Sequence, residues 1–273
     1  MDLTTITRYR YARTRADLRL EPGERFVAGG TWFFSEPQVE ANGVVDLSTM
    51  NWPALEGLPD GGIRIGATCR IAELAALPER PGWRAQPLFP ACANALLASW
   101  KIWNVATVGG NICRSFAAAS MVSLAAGLDG IAVIWTPHSD DGERRIAVAN
   151  LVTGNGTNTL DDGEVLRAVE IPGSSMRAAT GFRKIALAEL GRSGAVLTGR
   201  IDEDGTTVFG ITAATAAPTM LRYPTLPDAA TLREDVLGAA GYYTDPLGAA
   251  DWRRAVSAVL TAEIRDELDS GRR

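Results

Sequence analysis

Two Gly-Gly pairs constrain this chain more than any other feature. One lies in Phe26-Val27-Ala28-Gly29-Gly30-Thr31-Trp32-Phe33, the other in Asn104-Val105-Ala106-Thr107-Val108-Gly109-Gly110-Asn111-Ile112-Cys113-Arg114. Glycine reaches positive φ without steric cost and carries no Cβ, so its N–H can face an anion or another backbone. Each pair follows an apolar stretch and has polar neighbours: Thr31 in the first, Thr107 and Asn111 in the second. A tight turn or bulge explains either pair taken singly. Taken together they suggest two loops closing on one ligand. A diphosphate is the natural candidate, because successive amides stabilise its charge without a lysine.

The rest of the composition narrows the chemistry. With 273 residues, 46% hydrophobic and 22% charged, the chain has core enough for one large domain or two to three small ones. A net charge of −5 and no basic stripe argue against nucleic acid or an anionic membrane as partner. No apolar run approaches spanning length and Met1-Asp2-Leu3-Thr4 opens no signal peptide, so a cytoplasmic protein is expected. Cys69, Cys92 and Cys113 are odd in number and lack metal-type spacing, which reads as free thiols rather than a disulfide framework or an iron–sulfur site. The single histidine, His138, sits in Pro137-His138-Ser139-Asp140-Asp141-Gly142, a hairpin tip, and no Gly-x-Ser-x-Gly elbow exists. No catalytic side chain and no metal site are expected, so a cofactor would carry any chemistry.

In chain order, residues 1–25 read as a polar lead-in with Arg8, Arg10, Arg13 and Arg15 close together, and Phe26-Val27-Ala28 as a short strand into the first loop. A boundary falls near Asn51-Trp52-Pro53. Ile63 to Ala67 alternates as a strand, Thr68 could cap a helix through Leu74, and Phe89 to Ser99 is a buried helix. Ala117 to Gly127 is an apolar helix closed by glycine; Ile131–Trp135 and Arg145–Val148 form a hairpin around His138. Thr153 to Gly163 is the best linker candidate. Beyond it, Val165–Ile171, Gly181–Ile185, Ala195–Ile201 and Thr207–Ile211 suggest a separate sheet. An amphipathic helix from Asp251 to Leu268 closes an α+β domain.

The pairing of Val27-Ala28-Gly29-Gly30-Thr31 with Ala106-Thr107-Val108-Gly109-Gly110-Asn111-Ile112 resembles the FAD-binding subunit of the molybdenum hydroxylases, which include carbon monoxide and xanthine dehydrogenases. The resemblance covers nearly the whole chain. It implies an α+β fold: a first small α/β subdomain over 1–53 and a second over 54–160 clasp FAD, and a C-terminal α+β domain over 161–273 ends in a helix. Ala28, Gly29, Gly30, Thr31, Trp32 and Phe33, with Thr107, Gly109, Gly110, Asn111 and Ile112, would then hold the diphosphate. Leu97, Leu166 and Lys184 match positions that approach the cofactor. Relatives carry Ser-Pro-x-x-Asp after Gly-Gly-Asn, where this chain has Ala117 for the proline and Ser120 for the acid. The implied activity is electron transfer: FAD takes electrons from [2Fe–2S] clusters of a small partner subunit, fed by a molybdenum-cofactor large subunit, and passes them to an acceptor. The implied assembly is a hetero-oligomer, a dimer of heterotrimers, with Arg8, Arg10, Arg13, Arg15, Trp100 and Trp103 as candidate interface residues. The alternative is a scaffold of the same fold that has lost functional FAD.

Overall fold

The computed structural model describes residues 3–137 and 142–271; His138 lies outside the described residues. The supposed lead-in is not irregular. Strands β1 (Arg8–Tyr11), β2 (Glu24–Val27) and β3 (Gly43–Asp46) form a three-stranded parallel sheet in the order β1-β3-β2. Its alternation of Arg and Tyr hides β1 from a hydrophobicity reading. Arg10 reaches past β3 to Glu24, Nε to Oε1 at 3.0 Å and Nη2 to Oε2 at 2.7 Å. Glu24 is 2% exposed, so the pair fastens the two edge strands. Val45, Leu47, Ala12 and Leu18 build a small core that includes Val165 of the next unit.

The middle unit begins with β4 (Leu55–Gly57), β5 (Ile63–Gly66), α1 (Ile71–Ala75), α2 (Leu88–Ala95), α3 (Trp100–Trp103), α4 (Val108–Arg114) and α5 (Ser120–Gly127). The hairpin β6 (Ile131–Trp135) and β7 (Glu143–Ala147) follows, then α6 (Val148–Leu151), β8 (Val152–Gly154), β9 (Thr157–Asn158), β10 (Val165–Ile171) and α7 (Gly173–Arg177). Five strands pair antiparallel in the order β4-β5-β10-β6-β7. Because β10 is central in that sheet, the boundary expected at 160 falls too early, and the C-terminal unit starts only after β10. The segment 153–163 is no linker either. Asn155 Oδ1 accepts the amide of Ala117 at 3.0 Å, and Asn158 Nδ2 donates to Cys113 O at 2.9 Å and to Ser115 Oγ at 3.0 Å. Two asparagines thus brace the chain that follows α4. Ile63, Ile65, Phe89, Ile112 and Leu124 lie in one continuous core under the helices. Arg70, not Thr68, precedes the first helical residue of α1, and Ser99 caps α3 instead of extending α2.

The last unit is an antiparallel meander, β11 (Ala179–Ile185), β12 (Ala195–Ile201), β13 (Thr207–Thr212) and β14 (Thr219–Tyr223), followed by α8 (Ala229–Gly238) and α9 (Ala250–Ser270). Both faces of β12 are covered, so every one of its residues is buried. Leu197, Phe209 and Ile211 form the core with Leu232, Val236 and Ile264 of α8 and α9. Gly181 and Gly199 are paired neighbours, and a Cβ on either would lie 2.8 or 2.4 Å from Ile264 Cγ2, so the pair admits α9 closely. The opposite face meets α5: Ser123 Oγ and Thr212 Oγ1 are 2.6 Å apart, and Arg200 Nη1 donates to Gly127 O at 2.8 Å.

Candidate functional site

The first Gly-Gly stretch leaves β2 as a true loop. Leu47 donates its amide to Val27 O at 2.8 Å, and the chain then turns through Gly30 at φ +67°. At Gly29 a Cβ would stand 2.1 Å from Val105 O, so only glycine lets this loop lie against the backbone just ahead of α4. The two Gly-Gly stretches therefore do come together. Carbonyls of the loop are used within it, Gly30 O by Phe34 N and Trp32 O by Ser35 N, both at 2.9 Å. The amides of Gly29, Gly30, Thr31 and Trp32 have no acceptor among the described residues. Four successive backbone donors without a partner form the kind of concave, positive strip that receives phosphate oxygens.

The second stretch differs from its expected loop. Thr107 caps α4, its Oγ1 accepting from Gly110 N at 3.1 Å, so Gly109 and Gly110 stand in the first helical turn rather than at positive φ. Gly109 N donates to Ala67 O at 2.9 Å, and a Cβ there would fall 2.5 Å from Ala67 Cβ. Both amides are thus used within the protein. Asn111 Oδ1 accepts from Met121 N at 2.9 Å and ties α4 to α5, while Ile112 is wholly buried in the core. Ser120 is fully buried, and its Oγ is without a partner.

The remaining candidates are spread over the other units. Leu97 follows α2 in left-handed backbone, φ 51°, an unusual conformation for a bulky residue, with its side chain partly exposed. Lys184 on β11 donates from Nζ to Gly191 O at 3.4 Å, and Ser193 Oγ donates to Ala95 O at 3.2 Å, which brings that loop to the end of α2 beside Leu97. Leu166 is buried in the middle core. Of the four N-terminal arginines offered as interface residues, three are engaged within the chain. Arg8 donates to Asn42 Oδ1, Arg10 pairs with Glu24, and Arg15 lies 4.6 Å over the Trp135 ring. Trp103 packs against the middle core, whereas Trp100 is 70% exposed.

Sequence reasoning passed over Arg114 and Phe116. The Arg114 guanidinium lies 4.7 Å from the Trp32 ring and 4.1 Å from the Phe116 ring, where the first loop meets the end of α4. The only hint was an arginine followed by a Ser–Phe pair, with Ser115 turning the chain at φ 53°. The cysteines offer no reactivity: burial pushes the Cys69 and Cys113 thiols up to about 12 and Cys92 higher still. No cluster of metal-ligating side chains occurs among the described residues. The partnerless amides and the adjacent guanidinium fit a diphosphate.

Comparison with known proteins agrees with this geometry. The family model described as the FAD binding domain in molybdopterin dehydrogenase matches residues 10–174. A putative xanthine dehydrogenase FAD-binding subunit of Escherichia coli K12 is 28% identical over 228 residues, 78% of this chain and 75% of that protein. The xanthine dehydrogenase FAD-binding subunit of Escherichia coli O157:H7 is 30% identical over 174 residues, 60% of this chain and 57% of that one. A chain of the quinoline 2-oxidoreductase from Pseudomonas putida 86 superposes with a TM-score of 0.81 at 18% identity, covering 99% of each chain. A chain of the reconstituted CO dehydrogenase from Oligotropha carboxidovorans does so at 0.82 and 18%, covering 96% of this chain and 97% of its own. These structures share the α+β fold. The family match spans more than half of the sequence, and the chain belongs to the FAD-binding domains of the molybdopterin dehydrogenases, a flavoprotein component of oxidoreductases with FAD as its cofactor.

Proposed function

We propose that this chain is the FAD-carrying electron-transfer subunit of a molybdenum-dependent hydroxylase complex, placed between [2Fe–2S] clusters on one partner and an external acceptor. The observation that carries it is the strip of partnerless amides at Gly29 to Trp32, pressed by Gly29 against the backbone before α4. On this reading those amides take the diphosphate, and Thr107, Gly109, Gly110 and Asn111 hold α4 in place behind them. Leu97 and Lys184, joined through the Ser193–Ala95 contact, flank the flavin end. FAD, when bound, supplies the redox chemistry; the side chains orient it and keep water from one side.

Partners follow from what the chain does not supply. A cluster needs four thiolates or their equivalents, and the three cysteines here are free thiols, two buried and Cys113 half-buried. The relatives are named as subunits of xanthine dehydrogenase, which supports a hetero-oligomer with iron–sulfur and molybdenum chains. Leu97, Trp100, Ile102 and Val105 expose apolar surface along the segment that touches the first loop, and Trp is enriched at interface hot spots. No helix among the described residues is long and apolar enough to cross a membrane, and we infer a cytoplasmic complex.

Tagged protein from its own host should show flavin absorbance and co-purify with both partners in native mass spectrometry. Trp100→Ala should weaken that association more than FAD retention. A colourless chain whose apo form takes up no FAD would overturn the cofactor reading. A solitary flavoprotein that turns over substrate unaided would overturn the subunit reading.

A further inference from the structure

The amides of the first loop are not the only donors waiting at that place. Arg114 closes α4, and its guanidinium lies over a ring of the first loop and over one that follows the helix. Trp32 and Phe116 themselves meet edge to face, 4.7 Å apart at 74°. The cation is therefore part of the junction between the two Gly-Gly segments. The rings hold the cation by their π faces, and its guanidinium makes no hydrogen bond among the described residues.

Among the described residues no carboxylate pairs with this charge. Arg10, Arg144, Arg200 and Arg253 each reach a carboxylate. Arg114 has no ion pair among the described residues, and its Nε is buried without any acceptor. Burial disfavours its charged form, with only the through-space field of Glu36 opposing. A half-buried cation with unused in-plane donors, beside four unused amides, asks for an anion with several oxygens. Planar guanidinium donors match phosphate oxygens two at a time.

We propose that Arg114 is a cationic ligand of the cofactor's diphosphate, held over the rings of Trp32 and Phe116 and completing the amide strip of the first loop. The assignment rests on the FAD reading above. It also gives the rings of Trp32 and Phe116 a role, as side chains that position the guanidinium.

The test uses the full chain stripped of flavin, titrated with FAD, with ADP, which carries the diphosphate alone, and with riboflavin, which lacks it. Charge-assisted hydrogen bonds contribute about 1.5–3 kcal/mol, so Arg114→Gln should weaken FAD and ADP about ten- to a hundredfold and leave riboflavin unchanged. Arg114→Lys, which keeps the charge, should recover most of that loss at low salt. The salt dependence of FAD binding should flatten in the Gln variant. Circular dichroism of each apo variant checks that folding is retained, and if the Gln variant unfolds, the Lys variant decides by keeping the wild-type salt dependence of FAD binding with riboflavin unchanged. Gln-variant affinities within twofold of wild type, a loss of riboflavin equal to that of FAD, or a Lys variant whose FAD binding loses its salt dependence would overturn the assignment alone. A wild-type apo chain that binds none of the three probes would overturn the FAD reading and this assignment with it.

Discussion

Gly109 and Gly110 stand side by side in the first turn of α4 yet meet different surroundings. A methyl at 109 would run into Ala67, with its Cβ 2.5 Å and its carbonyl oxygen 2.7 Å away, and backbone cannot step aside. A methyl at 110 would meet only Thr107 Oγ1, at 2.8 Å, the free end of a capping side chain. Gly109→Ala should therefore lower stability by about 1–3 kcal/mol, the usual range for overpacking. Gly110→Ala should stay within about 1 kcal/mol, because a weakened cap is offset by alanine's better helix propensity. Urea unfolding of the two variants checks this, and equal losses would mean that the Ala67 contact does not limit the site. The sequence showed that a backbone must come close here. What it could not show is that the partner is Ala67, from a strand end brought up by the sheet. Positive φ, expected of both pairs, occurs only at Gly30.

Helix α5 and strand β12 set how the C-terminal unit sits on the middle one. Arg200, 2% exposed, donates to Gly127 O at the end of α5 and to Asp129 and Asp202, while Arg222 holds Asp129 from β14. Removing the guanidinium strands buried acceptors, so Arg200→Met should lower stability by about 2–4 kcal/mol. It should also loosen the Lys184 loop, which hangs from the same sheet. Denaturant unfolding with hydrogen exchange on β11 would measure both, and a loss below about 1 kcal/mol would reduce the cluster to a surface ion pair. Strands β11, β12 and β13 of this unit were legible because each is rich in apolar and β-branched residues. By contrast β1 was not, since Arg and Tyr alternate in it, and neither β14 nor α8 carried a period strong enough to identify.

Across the whole molecule, carboxylates fasten strands and loops within each unit, and Asp129 joins two units, which gives stability a definite acid limb. Hydrogen bonds from Arg10 and Arg144 hold Glu24 and Glu164 below the ordinary carboxylate range, and the amides of Gly173 and Gly62 do the same for Asp60. Burial pushes Asp129 up, but Arg222 and Arg200 outweigh it and keep its carboxyl low. These groups bind protons less readily folded than unfolded. Their contribution is complete above the unfolded carboxylate range, about pH 4.5, and drains as pH falls through the lowered native values. Tryptophan fluorescence should report stability that is flat from neutral pH down to that point and falling below it. Replacing Glu24 with Gln should shrink the fall, and an unchanged acid limb would show that the Arg10 pair does not contribute. Residue order alone determined the fold class and the two glycine stretches, because periodicity and residue chemistry are local properties. Tertiary structure decided that β10 completes the middle sheet, that the second glycine pair opens α4 with Gly109 against Ala67, and that Arg114 stands over Trp32 and Phe116 without an ion pair. Each of those depends on which distant segments share a surface, and no local pattern records that.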